Sequence, residues 1–271
     1  MSRSIVFLSD FGYRNEWVGI CHAVMNRTAP ESAVVDLSHG LPPLDVRAGA
    51  TLLADSLPYM SEDAIVLAVV DPNVGRDRDI AVETGGGRLL VGPDNGLLAP
   101  AWRASEGVVR AVSISASDVV LEPVAPTFHA RDVLAPAAAW LAVGRPLEQL
   151  GEPLSPETLA DLELPEPIVE QGKIQCEVVD LNRFGNVQLN VRGADLEAAG
   201  LAGNATVGVE TQATAAVAAR ITTFADLAPG DWGLMIDSRG WLAVVRGNPA
   251  NAAEALEVNS GDLVWLLAPS R

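Results

Sequence analysis

Ala64-Ile65-Val66-Leu67-Ala68-Val69-Val70-Asp71-Pro72 is a run of seven apolar residues stopped by an acid and a proline. Its length suits a strand, and the absence of polar alternation means that both faces must be covered. Ile5 to Leu8 reads the same way and stops at Ser9-Asp10-Phe11-Gly12, and Ala33 to Leu37 leads into Ser38-His39. Helical segments are predicted between these runs, over Glu16 to Asn26 and over Val46 to Leu57, where Val46, Ala50, Leu53 and Leu57 share one face. Asp79 to Glu83 and Arg88 to Val91 flank Thr84-Gly85-Gly86-Gly87 and predict a hairpin. Asp132 to Val143 predicts a long apolar helix closed by Gly144. Strands alternating with helices predict an α/β domain over residues 1–152, with a mainly parallel sheet in Rossmann-like layering.

The composition then changes. Residues 153–171 carry Pro153, Pro156, Pro165 and Pro167 among many acids, and are expected to be a linker. Residues 172–271 hold seven short β-rich runs separated by Gly, Asn and Asp: 174–181, 187–191, 206–210, 215–222, 233–236, 241–245 and 263–267. This pattern predicts a C-terminal antiparallel β-barrel.

The 271 residues are 49% hydrophobic and 20% charged, enough apolar material for a substantial core. A net charge of −17 and a pI near 4.4 argue against general binding to nucleic acid or an anionic membrane. No window approaches the roughly 18 uninterrupted apolar residues of a membrane span. The short apolar run near the N-terminus does not read as a signal peptide, so a cytoplasmic protein is expected. Two cysteines, Cys21 and Cys176, exclude a disulfide scaffold and are expected to be buried thiols. Asn26-Arg27-Thr28 and Asn204-Ala205-Thr206 fit the glycosylation pattern, which without a secretion signal is read as chance. The three His residues show no metal-ligand spacing, and no metal site is expected. A dinucleotide-binding Gly-x-Gly-x-x-Gly, a Walker A loop and a Gly-x-Ser-x-Gly elbow are all absent from the sequence.

Ligands of open α/β sheets bind beyond the carboxyl ends of the strands, where this sequence places polar residues. Asp10 follows the first strand; such a carboxylate either grips a ribose diol or caps the next helix. Asp71 follows the third strand, Arg78 comes seven positions later, and His129 lies just before the long helix. Together an Asp, an Arg and a His can hold and deprotonate a water; singly, each also fits a structural role. In the second half, Asn182-Arg183-Phe184-Gly185-Asn186 joins two strands, either as an ordinary hairpin turn or as a loop whose Phe stacks on a base. Ser238-Arg239-Gly240 with Arg246 offers guanidinium forks for a carboxylate, or strand arginines facing solvent.

Seven segments occur in an order that resembles one family. They are Ser9-Asp10-Phe11-Gly12, Trp17-Val18-Gly19, Val35-Asp36-Leu37-Ser38-His39, Val69-Val70-Asp71-Pro72-Asn73-Val74-Gly75, Gly92-Pro93-Asp94-Asn95-Gly96, Phe128-His129-Ala130-Arg131-Asp132 and Arg183-Phe184-Gly185-Asn186. The chain resembles the S-adenosylmethionine hydroxide adenosyltransferases, the adenosine-forming S-adenosylmethionine hydrolases related to fluorinase and chlorinase. The resemblance implies an α/β domain, a β-barrel and a homotrimer whose active site lies between the first domain of one subunit and the barrel of its neighbour. It implies attack of water or hydroxide at the ribose C5′ carbon, with methionine leaving and adenosine forming. S-adenosylmethionine is then the substrate, and no cofactor, nucleic acid or membrane is involved.

By this resemblance Asp71, Arg78 and His129 match the water-activating triad. The halogenating relatives carry a Tyr where Asp71 stands and a Tyr-Ser pair where His129-Ala130 stands, so the resemblance favours water over halide. Asp10 matches the ribose-binding carboxylate. Phe128, Phe184, Asn186 and Asn248 are assigned to substrate contacts, and Ser238, Arg239 and Arg246 to the methionine carboxylate or the adenine edge. The chain departs from the family pattern in three respects. Asn182 stands where an Asp facing the methionine ammonium is usual, with Asp180 two residues back on the same side of a strand as a substitute. Leu44 stands in place of an aromatic beside the ribose. His22 and the Asn-Pro-Ala-Asn run at 248–251 also differ.

Overall fold

A computed structural model describes residues 2–269. Two compact units divide between Leu164 and Pro165.

The first unit contains β1 (Ile5–Ser9), α1 (Trp17–Thr28), β2 (Val34–Ser38), α2 (Val46–Ser56), β3 (Ile65–Val69), β4 (Asp79–Thr84), β5 (Leu89–Pro93), α3 (Ala99–Arg103), β6 (Val108–Ile114), α4 (Ala135–Ala142) and β7 (Gly151–Leu154). Its sheet has the order β2-β1-β3-β5-β4-β6-β7. The pairs β2–β1, β1–β3 and β3–β5 are parallel; β5–β4, β4–β6 and β6–β7 are antiparallel. The predicted hairpin is the β4–β5 pair.

The apolar runs follow from two cores. In β3, Ile65, Leu67 and Val69 enter one core while Val66 and Ala68 enter the other. In β1, Ile5 and Phe7 take the first side and Leu8 the second. Successive side chains of a strand face opposite ways, so a strand between two helix layers is apolar at every position. α1 and α4 cover the first face through Val18, Cys21, Met25 and the buried alanines of α4; α2 and α3 cover the second through Ala50, Leu53 and Ala101.

β6 and β7 were not legible as strands. β6 exposes Val109 and Arg110, and β7 carries Pro153 at the sheet's edge, where a missing donor is tolerated. Residues 153–171 are shared between the units. Leu159 and Leu162 pack on the α2–α3 core, Arg103 holds Asp161 and the Leu162 carbonyl, and β8 (Ile168–Glu170) already belongs to the second unit.

The second unit continues with β9 (Lys173–Leu181), β10 (Val187–Leu189), α5 (Gly193–Ala198), β11 (Thr206–Glu210), β12 (Ala215–Arg220), β13 (Trp232–Ile236), β14 (Leu242–Arg246), α6 (Ala252–Leu256) and β15 (Leu263–Leu267). The order β10-β14-β13-β12-β11-β15-β9 closes through a β10–β9 pairing, and β8 adds to β9. Every pairing is antiparallel except β12–β13. Alternate residues such as Ile174, Cys176 and Val178 fill the interior, and α5 and α6 add Leu196 and Leu256. Both cysteines are buried and unpaired, and burial pushes the Cys21 thiol up to about 12, so neither is poised as a nucleophile. Among the described residues no helix is long and apolar enough to cross a membrane.

Candidate active site

β1 pairs with β2 on one side and β3 on the other, and α1 and α2 lie on opposite faces of the sheet. This is a topological switch point, where open sheets leave a crevice at the carboxyl edge. The β1–β3 register places Ser9 opposite Val69, so Asp10 and Asp71 emerge one and two residues past that level. Both line a cavity of about 350 Å³ together with Phe128 and His129.

The Asp71 turn is held from several sides. Asn73 donates its backbone N–H to Asp71 Oδ1 at 2.9 Å, and Asn95 donates its side-chain amide to the Val70 carbonyl at 2.9 Å. Gly75 has φ +81°, and a Cβ there would lie 2.6 Å from the Pro126 carbonyl oxygen. The turn after β3 is therefore packed against the segment that leads to His129. Gly75→Ala is expected to cost about 1–3 kcal/mol through left-handed backbone strain, with further loss from the clash. Chemical denaturation of the variant measures this.

Burial raises the Asp71 carboxyl above its ordinary value; the Asn73 N–H opposes the shift, while nearby Asp77 and Asp10 add to it and His129 counters. Asp79, the first residue of β4, is 8% exposed and accepts from His129 Nδ1 at 2.6 Å. Burial pushes Asp79 upward too, against the pull of His129. An acid bonded to Nδ1 holds the imidazole with Nε2 available as a base. The sequence reading missed Asp79, since a residue fifty positions from His129 gives no local sign of the pairing.

Asp10 neither caps α1 nor stands free. Its Oδ2 accepts the Leu44 N–H at 2.7 Å, and Leu44 sits at φ +64° on the cavity rim. Phe11 meets Trp17 and Phe128 edge-on, with centroids 6.0 and 6.1 Å apart, which makes an aromatic wall. Arg131 lies 5.0 Å over the Phe128 ring and pairs with the buried Asp132. His129 precedes a π-helical turn at 130–134 that runs into α4, a distortion common at functional sites.

The structure does not bring Arg78 together with Asp71 and His129. Arg78 donates from Nε to Asp94 Oδ2 at 2.9 Å and from Nη2 to the Thr158 carbonyl at 2.7 Å, and it does not line the cavity. Neighbours on an extended chain face opposite ways. With Asp79 turned to His129, Arg78 is turned away.

The barrel holds a second cavity of about 670 Å³, lined by Phe184, Asn186, Arg246 and Asn248 among others. Phe184 is 67% exposed and lies under the Arg183 guanidinium, and Arg246 stacks on Trp232 while donating to the Gly230 carbonyl. The remaining candidate residues of the barrel, Asp180, Asn182, Ser238 and Arg239, lie outside this cavity. Asn182 Oδ1 accepts from the Phe184 and Asn186 N–H groups at 3.0 and 3.2 Å, so it shapes the turn instead of facing an ammonium. Asp180 pairs with Arg239 at 2.8 Å, and Arg239 also meets Gln188. Asp180 is thus neutralised by a cation of its own chain. Ser238 is exposed beside them.

Gly185 has φ +76°, and a Cβ there would lie 2.0 Å from Asn251 Oδ1, whose oxygen caps α6 through the Glu254 N–H. Gly185→Ala is expected to displace Asn251, lower stability by about 1–3 kcal/mol and perturb the cavity rim. Thermal melting and the ring resonances of Phe184 would report it.

Comparison with known proteins covers both units. Residues 5–151 match the family model of the S-adenosylmethionine hydroxide adenosyltransferase N-terminal domain, and residues 176–265 match that of the C-terminal domain. The chain is 42% identical to the (R)-S-adenosyl-L-methionine hydrolase of Salinispora tropica over 97% of each chain. It is 39% identical to the enzyme of that name from Thermus thermophilus, over 98% of this chain and 100% of the other. The fluorinase of Actinoplanes sp. is more distant, at 29% identity over 95% of each. A crystal structure of an uncharacterized conserved protein from Thermotoga maritima superposes with a TM-score of 0.88 at 30% identity, covering 97% of this chain and 99% of that one. The matches span both units, and the chain belongs to the S-adenosylmethionine hydroxide adenosyltransferase family.

Proposed function

We propose that this protein hydrolyses S-adenosylmethionine to adenosine and methionine, with a water activated by Asp71 and His129. The observation that carries the reading is the placement of these two proton acceptors on one cavity at the sheet's switch point. Water forms the O–C5′ bond as the C5′–S bond breaks. The sulfur takes the bonding pair and leaves as a neutral thioether, so no general acid is needed. The proton of the attacking water passes to Asp71 or to His129 Nε2. Asp79 orients the imidazole. Asp10, steadied by the Leu44 N–H, receives the ribose hydroxyls. The aromatic wall of Phe11, Trp17 and Phe128 strips competing solvent and lies beside the sulfonium, an arrangement that favours a cation.

The barrel cavity, with Phe184, Asn186, Arg246 and Asn248, supplies contacts for the adenine and the amino acid arm. In this reading Arg78 supports the site by anchoring the 156–160 segment to Asp94, and Asp180 with Arg239 forms a fixed ion pair. The family resemblance implies a homotrimer in which a barrel completes its neighbour's site; sedimentation at micromolar concentration should give three chains per particle. A substrate made and used inside cells fits a cytoplasmic location.

The relatives' names specify the (R) sulfonium epimer, and the same preference is proposed here. The epimers differ in where the methyl and amino acid arms leave the sulfur, so arm contacts can separate them. The decisive assay incubates each epimer in 18O-water with chloride present. Adenosine labelled at the 5′ oxygen, formed faster from the (R) epimer, supports hydrolysis and the preference. A 5′-chloro product places the enzyme with the halogenating relatives. Binding without turnover makes it an adenosyl-binding module.

A further inference from the structure

His22, Asp36 and His39 converge beside the Phe7 ring, and none of them lines the reaction cavity. His22, on α1, has Nε2 2.7 Å from Asp36 Oδ1. His39, just past β2, has Nε2 3.1 Å from the same oxygen. The three donor atoms lie within 4.8 Å of one another. His39 is 1% exposed, and the 3.1 Å approach to Asp36 Oδ1 falls short of a well-formed hydrogen bond and is the contact its Nε2 makes with a polar side chain. A buried imidazole nitrogen left with one poorly formed contact is under-satisfied, which native structures avoid.

The surroundings fit a ligand at that point. His39 Nδ1 lies 2.6 Å from Ser9 Oγ. If Nδ1 donates there, Nε2 presents its lone pair to Asp36 and His22, which is how metal-bound histidines are usually fixed. The Phe7 ring packs edge-on to His39 at 4.6 Å between centroids, and Tyr13 does so at 5.2 Å. Tyr13 also donates to Asp36 Oδ2 at 3.4 Å. The His22 side chain is 34% exposed and gives a way in from solvent.

We propose that His22, Asp36 and His39 bind a divalent first-row transition cation of the zinc class. Two imidazole nitrogens and one carboxylate are a borderline-soft donor set that suits such ions, while magnesium and calcium prefer all-oxygen sites. Bonds of roughly 2.0–2.1 Å put tetrahedral ligands about 3.3 Å apart. The observed 2.7 and 3.1 Å therefore need only a small opening, which half-exposed His22 can supply. Water would fill the fourth position. The ion would brace the site and take no part in the chemistry: the His39 carbonyl accepts the Gly12 N–H at 2.7 Å, and the chain after His39 leads to Pro43 and Leu44 on the cavity rim.

The test uses untagged full-length protein stripped with chelator and titrated with zinc chloride by calorimetry, with cobalt absorbance as a second readout. The expected result is one equivalent bound, a melting temperature raised by zinc, and tetrahedral cobalt bands. His22→Ala, at a partly exposed position, should fold and melt like the stripped protein yet bind zinc at least tenfold more weakly; Asp36→Asn should do the same. Absence of stoichiometric binding, or equal binding by wild type and both variants, overturns the proposal and leaves a His-Asp-His hydrogen-bonded cluster. None of these readouts depends on turnover of S-adenosylmethionine.

Discussion

Asp71→Asn should lose hydrolysis by a factor on the order of 10²–10⁴, the usual contribution of a positioned general base. The amide keeps the shape of the carboxylate and can still accept the Asn73 N–H, so the turn after β3 should persist. Substrate or adenosine should therefore continue to raise the melting temperature of the variant, because a ligand that binds the native state stabilises it. Stability is expected to move opposite to activity. Burial holds the Asp71 carboxyl above its ordinary value, so the folded state favours the protonated form. That contribution is present below the ordinary carboxylate range and is lost as pH rises through the raised value. At neutral pH the ionised group costs stability, and Asp71→Asn should melt at the same temperature or higher. The advantage should fade as the pH is lowered. Turnover surviving within tenfold of wild type would remove Asp71 as the base.

Asp79→Asn should lower kcat on the order of 10²-fold with little change in KM. Asp79 lines no part of the cavity and acts through His129. An amide can donate to Nδ1 as readily as accept from it, so the imidazole loses its enforced tautomer and Nε2 is no longer kept as a base. Asp79 too is raised by burial, so the wild-type kcat/KM profile should fall on the acid side above the ordinary carboxylate range. In Asp79→Asn that limb should move while the fold stays intact. An unchanged pH profile with unchanged kcat would reduce Asp79 to a packing residue. The neighbouring Arg78 gives a contrast, since its guanidinium is spent on Asp94 and the Thr158 carbonyl.

The elements that carry a simple period were legible in the sequence. β1 and β3 read as strands because each residue has a core to enter on one side or the other. Asp10 and Asp71 read as candidates because a polar side chain at the carboxyl end of a buried strand has the crevice beside it, but capping and turn roles stayed open until the family resemblance assigned them. The seven barrel strands were visible through their alternation and turns. β6 and β7 were not: β6, one strand in from the edge, leaves Val109 and Arg110 exposed, and β7 carries Pro153 on the edge itself, where a missing donor is tolerated.

Much of the local order, then, was settled by the chain itself: which periodic segments extend or coil, and which acids end the buried strands. Side-chain partnership was settled by tertiary structure. His129 chooses Asp79, Arg78 chooses Asp94, Arg239 takes Asp180, and Asn182 turns back on its own loop. His22, fourteen residues from Asp36 and on a different element, meets it only because α1 packs back over the sheet. Hydrophobic periodicity depends on one residue and the face it covers, so it survives in the linear sequence. A polar pair depends on two residues, their registers and their faces, and packing of distant segments fixes all of these at once.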